Sequence, residues 1–259
     1  MCFDNYLLSL SLLLLAPAVF SCSVFENRSG CPCRLSLDVT DPANTVCDTL
    51  SVHLDNKYYN EVFHLPVSAG IYEKKIPCRG DLHIAAYSSK VEKYLHGDCL
   101  VIPEGEQCPE AYFCVVDCLI DGEEHTGHLR VDRNFCGVTL SFVTEYPADY
   151  NISVKGNVCG YDRNGGMMEG SFTYVPDFSR SSSAYFRLPR QKDSSLSLAI
   201  SSPAGSVRYF SLGNYIEQSG YDWTKQDLED ISISIDYAST LLTLTINDWT
   251  KEIEIDVVI

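Results

Sequence analysis

A chain of 259 residues with 35 acidic against 19 basic side chains carries a formal net charge of −16, and no Lys/Arg cluster interrupts that acidity. Phosphate backbones and anionic lipid surfaces are repelled, which excludes nucleic acid as an electrostatically held partner. The length suits one large domain or two of ordinary size, and at 45% hydrophobic residues either can bury a real core.

The chain opens with an apolar run from Leu7 to Phe20 that ends in Val19-Phe20-Ser21-Cys22. Such a run is too short to span a bilayer and reads as an export signal removed on secretion. Ser21 is the small residue a lipoprotein signal peptidase needs before its cysteine. Residues 1–21 are therefore expected to be a lipoprotein signal peptide, Cys22 the lipidation site with acyl chains such as palmitate, and residues 22–30 a tether. An ordinary cleaved signal, with Cys22 as one more disulfide cysteine, is the alternative. No second apolar run approaches the ~20 residues of a membrane helix, so attachment to a membrane would come through that lipid.

The chain has twelve cysteines. Beyond Cys2 and Cys22 they are Cys31, Cys33, Cys47, Cys78, Cys99, Cys108, Cys114, Cys118, Cys136 and Cys159. An even number in an exported chain reads as a disulfide framework. Most precede residue 120, so the first half is expected to be stapled and the second to stand on its core. Cys136 and Cys159, alone after the expected domain boundary, are expected to pair with each other.

Short alternating segments follow in chain order: 34–39, 50–54, 82–87, 112–120 and 137–143, then 150–154, 171–175, 196–200, 206–210, 231–235, 242–246 and 252–257. Period-2 alternation sends one face to a core and one to water, as in antiparallel strands. Turn signals such as Asp55-Asn56, Asp121-Gly122 and Asn164-Gly165-Gly166 punctuate them. The expectation is an all-β protein of two β-sandwich domains in tandem, residues 31–126, rich in cysteine, and residues 127–259. The polar segment Asp121–Gly127 marks the boundary. One helix is expected at Thr224–Asp230, where Thr224 and Asp227 stand as in a capping box.

No nucleophile elbow, zinc-protease helix or phosphate loop is present, and no enzymatic activity, cofactor or small-molecule substrate is expected. Glu123, Glu124, His125 and His128, with Cys114 and Cys118 upstream, are the nearest approach to a metal set. They read as a solvated linker beside thiols that oxidise, so no metal is expected. Cys31-Pro32-Cys33 reads as two structural cysteines on one strand face. Arg79-Gly80-Asp81 matches an integrin-binding tripeptide, but three-residue matches arise often by chance and Gly-Asp is what a hairpin turn wants, so it reads as a turn. The sixteen tyrosines read mainly as packing residues.

Three stretches taken together resemble one family: Cys22 followed by Cys31-Pro-Cys-Arg-Leu-Ser-Leu-Asp-Val39, the central Arg79–Tyr87, and the C-terminal Tyr221-Asp-Trp-Thr224, Asp230–Tyr237 and Leu242–Trp249. Their order and spacing are similar to the FimB-type anchoring subunits of Bacteroidetes fimbriae. The resemblance implies transthyretin-like or Ig-like β-sandwiches and a lipoprotein of the outer membrane. It implies a role in tethering a fimbrium and limiting its length, with fimbrial shaft subunits as protein partners. Such subunits join by β-strand addition. The first strand, near the lipid, is expected to stay in place, and an edge of the second domain or the C-terminal strand 253–259 to be where the fimbrium attaches. Asp48-Thr49-Leu50 fits the Asp-Ser/Thr-apolar pattern of O-glycosylation in Bacteroidetes, which makes Thr49 a candidate modification site. The competing reading is a surface glycan-binding lipoprotein, which would need aromatic side chains gathered on one exposed face.

Overall fold

The computed structural model describes residues 30–237, 241–246 and 249–254. In chain order the first strands are β1 (Cys33–Asp38), β2 (Thr49–Asn56), β3 (Tyr59–Pro66), β4 (Ile71–Ile76) and β5 (Gly80–Ser88). Next come β6 (Leu95–His96), β7 (Cys99–Val101), β8 (Tyr112–Ile120), β9 (Glu124–His128) and β10 (Asp132–Arg133). The second half holds β11 (Phe135–Val143), β12 (Asn151–Tyr161), β13 (Met167–Tyr174), β14 (Ser183–Pro189), β15 (Ser197–Ser201) and β16 (Val207–Phe210). Helix α1 (Leu212–Gln218) follows, then β17 (Ile231–Asp236), β18 (Leu241–Ile246) and β19 (Trp249–Glu254).

These strands build an all-β sandwich fold from four sheets. A three-stranded sheet, β4-β1-β9, faces a five-stranded sheet, β10-β8-β5-β2-β3. Alternation places Leu35 and Leu37 of β1 against Leu50, Val52 and Leu54 of β2 and Ile84 of β5 in one core, all of them with 0% exposure. A second pair of sheets, β14-β11-β17-β18-β19 and β16-β15-β12-β7-β6 with β13 also on β12, encloses the larger core. Val138, Phe142, Val154, Phe186, Leu198 and Ile233 lie at its centre.

The chain does not cross from one pair of sheets to the other at a single point. β6 and β7 leave the first pair and dock on β12, with Gly160 opposite Val101 and Tyr161 opposite Leu100. The chain then returns to lay down β8 and β9. The expected boundary between residues 126 and 127 falls inside β9, which pairs in parallel with β1 from Arg34↔Glu124 to Asp38↔His128. Asp121–Gly127 is polar because β9 is an edge strand with one face in water, a pattern that composition shares with linkers. The sheet containing β5 and β8 is covered on both sides: Leu82, Ile84 and Ala86 enter the first core, Ala85, Tyr87 and Phe113 the second. Burial on both faces explains the continuous apolar run Ile84-Ala-Ala-Tyr87.

The expected helix at Thr224–Asp230 is absent, because tertiary partners take the groups it would need. Arg190 donates to the carbonyls of Trp223, Lys225 (2.7 Å) and Gln226 (3.2 Å). Asp227 is drawn away to Arg130 and to the Arg133 N–H (2.9 Å). The α-helix lies earlier, where Gly213 lets the first turn approach the Ser194 backbone, a Cβ there meeting the Ser194 carbonyl oxygen at 2.4 Å.

Candidate assembly interface

In a protein built of sheets, the groups able to pair with another chain are backbone N–H and C=O at strand edges. β1 offers none. It lies between two partners, antiparallel to β4 and parallel to β9, and it buries Leu35 and Leu37, with Val39 just past its end, at 1% exposure or less. Withdrawing it would expose three apolar side chains worth about 1.5–3 kcal/mol each and break two ladders.

Other strands lie at edges and differ in cover. β14 is partly capped: the Gln107 side chain accepts from the Arg187 N–H at 3.1 Å, and the Cys108 N–H donates to the Arg187 carbonyl at 3.0 Å. β3 is longer and more open. Its two-residue turn, Lys57-Tyr58, closes the bonded pair Asn56↔Tyr59, so Asn60, Val62 and His64 turn their backbone groups outward. Val62 is 52% exposed beside them. β19 ends the five-stranded sheet of the second pair, next to β18. The expected attachment strand 253–259 overlaps it at residues 253 and 254, and residues 255–259 lie outside the described residues.

Cys22, with the signal peptide and all of the tether but Gly30, also lies outside the described residues. Thr49 is the first residue of β2 and half-buried, after an exposed Asp48 whose carbonyl accepts from the Val67 N–H at 3.0 Å.

The cysteines Cys31, Cys33, Cys47, Cys78, Cys99, Cys108, Cys114, Cys118, Cys136 and Cys159 are all free thiols in the structure. Cys136 and Cys159 do not meet. Cys136 is wholly buried on β11. Cys159 alternates with the core residue Val158 on β12 of the facing sheet, and its thiol lies 3.7 Å from the Met168 carbonyl. Elimination by chain position could not register that alternation puts them on different faces. Burial pushes the Cys136 and Cys114 thiols up to about 12 and raises that of Cys108 further.

His125 and His128 stand on opposite faces of β9, and His128 pairs with Asp38 at 3.0 Å. Among the described residues, no group of three or more His, Cys, Asp or Glu side chains is placed to hold a metal ion. Arg79 of the Arg-Gly-Asp tripeptide is 7% exposed and donates to the Pro32 carbonyl, so that its guanidinium faces inward. Among the described residues, no helix is long and apolar enough to cross a membrane.

Two groups of polar contacts lock the pairs of sheets together. Arg163, in the β12–β13 turn, reaches Asp55 of β2 at 2.7 Å. Beside it, His83 of β5 lies between Asp117 (2.7 Å) and the Arg163 carbonyl (3.0 Å). The bond from Arg163 holds the Asp55 carboxyl below the usual carboxylate range. On the other side Arg130 joins Asp132 to Asp227, and Arg133 binds Asp230. Neither group was legible in the sequence, because Arg130 and Asp227, and likewise Arg133 and Asp230, stand 97 residues apart and Arg163 and Asp55 stand 108 apart.

The most exposed tyrosines are dispersed: Tyr58 at the β2–β3 turn, Tyr146 after β11, Tyr185 on β14 and Tyr209 on β16, between 55% and 67% exposed. One recess of ≈ 640 Å³ does gather Tyr146, Tyr150 and Tyr237 with Glu145 and Asp149.

No described protein family and no curated protein matches the chain by sequence. Solved structures are similar to it. A candidate polysaccharide-binding protein of Bacteroides thetaiotaomicron has 13% identity and a TM-score of 0.62, over 85% of this chain and 98% of that one. A candidate adhesin of Bacteroides ovatus has 11% identity and a TM-score of 0.59, over 86% and 95%. The fimbrial anchor protein Mfa2 of Porphyromonas gingivalis has 18% identity and a TM-score of 0.59, over 85% and 99%. The resemblance carried by the strand motifs thus has its counterpart in solved structures that include a fimbrial anchor, and what the chain shares with them is an all-β fold along nearly their whole length.

Proposed function

We propose that this chain is a lipid-anchored fimbrial subunit of the outer membrane. It is tethered through Cys22, pairs by β-strand addition with shaft subunits, and limits fimbrial length by ending the series. The observation that carries this reading is the position of β1, central in its sheet while open edges lie elsewhere. A subunit that keeps its N-terminal strand offers no vacated groove at the tethered end, so growth can proceed from one side alone. The polar locks at Asp55–Arg163 and Arg130–Asp227 support the role, since an anchor must carry tension between tether and shaft without its sheets parting. The similarity in fold to Mfa2 and to a candidate adhesin points the same way.

Two variants test it in cells making the fimbrium. Cys22→Ala should release the protein from the outer-membrane fraction, because stable anchoring takes buried acyl chains at roughly 0.8 kcal/mol per CH₂. Deleting residues 249–259 should leave the protein in the membrane and shed the fimbria. Persistence of Cys22→Ala in the membrane would remove the anchor, and normal fimbriae on the deletion strain would remove the C-terminal attachment.

A second reading, a glycan-binding surface protein, draws on the recess of three tyrosines and two carboxylates and on the fold shared with a candidate polysaccharide-binding protein. Saturable binding of a neutral polysaccharide, lost in Tyr146→Ala, would favour it.

A further inference from the structure

β1 and β4 pair in unbroken antiparallel register from Asp38↔Ile71 to Cys33↔Ile76. The paired strands end there; continued for two more positions, the same register would set Pro32 opposite Pro77 and Cys31 opposite Cys78. The direction of each backbone group along β1 is known. The Val39 N–H donates to the Gly70 carbonyl on the β4 side, and the Arg34 N–H donates to Glu123 on the β9 side, both at 2.8 Å. Odd-numbered residues of β1 therefore bond to β4. The facing prolines fall at an even position, where neither ring removes a bond between these strands. On that continued register the next pair, 31 and 78, would be of the bonded kind, whose Cα atoms stand about 5.5 Å apart in a regular ladder. That separation lies inside the disulfide window of roughly 4.4–6.8 Å.

Parity carried past the strand ends would also put the two side chains on one face. Cys31 shares a face with Cys33 and Leu35, and Cys78 shares one with Ile76. Cys33, Leu35, Ile76 and Cys78 are all 4% exposed or less, facing the core. Past the bend at Pro77, Arg79 keeps the two segments together, donating from Nε and Nη2 to the Pro32 carbonyl at 3.3 Å each. Both cysteines stand as thiols in the structure, with Cys78 Sγ 3.5 Å from Asn56 Oδ1.

We propose that Cys31 and Cys78 form a disulfide that staples the N-terminal strand to β4. The oxidant is the disulfide of an envelope dithiol oxidase. The thiolate of the more exposed Cys31 attacks one of its sulfurs, and the Cys78 thiolate then displaces the oxidase from the mixed disulfide. Two electrons and the two thiol protons leave with the oxidase, which is released as a dithiol. The bond lies between the tether and β1, so the strand cannot be drawn from its sheet while it is intact. The proposal rests on the exported-subunit reading only for its oxidising compartment.

Full-length protein isolated from envelopes, alkylated and digested without reduction, should yield one peptide joining Cys31 to Cys78, with fragmentation excluding Cys33. Cys31→Ser and Cys78→Ser should each free one alkylatable thiol and lower the urea midpoint equally, the double variant no further. Either cysteine free in envelope protein, or joined elsewhere, overturns the staple while leaving the anchor reading intact. If the protein proves not to be exported, purified protein is oxidised with glutathione disulfide instead. The same bond must then form, and its failure to form overturns the staple.

Discussion

Arg163 and Asp55 show how much one pair can matter at a joint. The bond from Arg163 lowers the Asp55 carboxyl, and a group depressed in the folded state stabilises it above its unfolded value, near 3.9. That contribution is lost as pH falls through the folded value. Arg163→Met should therefore lower stability at pH 7 by up to about 1 kcal/mol, because both side chains are partly exposed. The difference from wild type should vanish in strong acid. Urea midpoints at pH 7 and pH 2.5 check this, and an undiminished difference at pH 2.5 would assign the effect to packing. Gly160 tests a steric constraint. A Cβ there would meet the Leu100 carbonyl oxygen at 2.0 Å. Gly160→Ala should push β7 off β12 at a cost of about 1–3 kcal/mol, with faster hydrogen exchange at residues 100–102.

Among the elements, the segment 222–230 is held by side chains from other parts of the chain. Arg190→Met would leave the carbonyls of Trp223, Lys225 and Gln226 without their donor; water can replace it at the exposed Lys225 and Gln226, while a buried acceptor left unpaired, as at Trp223, costs about 1–3 kcal/mol. The segment should then be the first to be cut by limited proteolysis, with β17 still protected. Native cleavage unchanged from wild type would show that the carbonyls find other donors. The edge strands β3 and β4 carry a related lesson. Glu61, His64, Lys74 and Lys75 interrupt the apolar alternation, so neither stretch stands out as a strand in the sequence. Such charges are what edges need to avoid pairing indiscriminately, and Glu61 and Lys74 meet across the two sheets at 2.8 Å.

For the whole molecule, the aromatic side chains decide how the parts cooperate. Tyr87 and Phe113, from the first pair of sheets, pack at 5.7 Å between ring centroids, and Phe113 meets Tyr161 of β12 at 5.0 Å. The larger core is thus completed by residues of the first pair, and the two should unfold in one transition. Calorimetric and van't Hoff enthalpies should agree for the wild type. Phe113→Ala should cost about 3–5 kcal/mol and uncouple the halves into two transitions. A wild type that already melts in two steps would show that the aromatic bridge does not couple them.

Alternation determined β1, β2, β11, β15 and β17, because their two faces meet different surroundings and period 2 records that directly, while β5, buried on both faces, showed as a short apolar run. Alternation also marked the all-β class, and the apolar run from Leu7 ending at Cys22 carried the expectation of an anchor. Only the tertiary structure decided the rest. The excursion of β6 and β7 to β12, the failure of the helix at 224–230, the separation of Cys136 from Cys159 and the inward turn of Arg79 all depend on partners distant in sequence. No local pattern encodes those contacts, since each is a choice between water and a group that folding alone brings near.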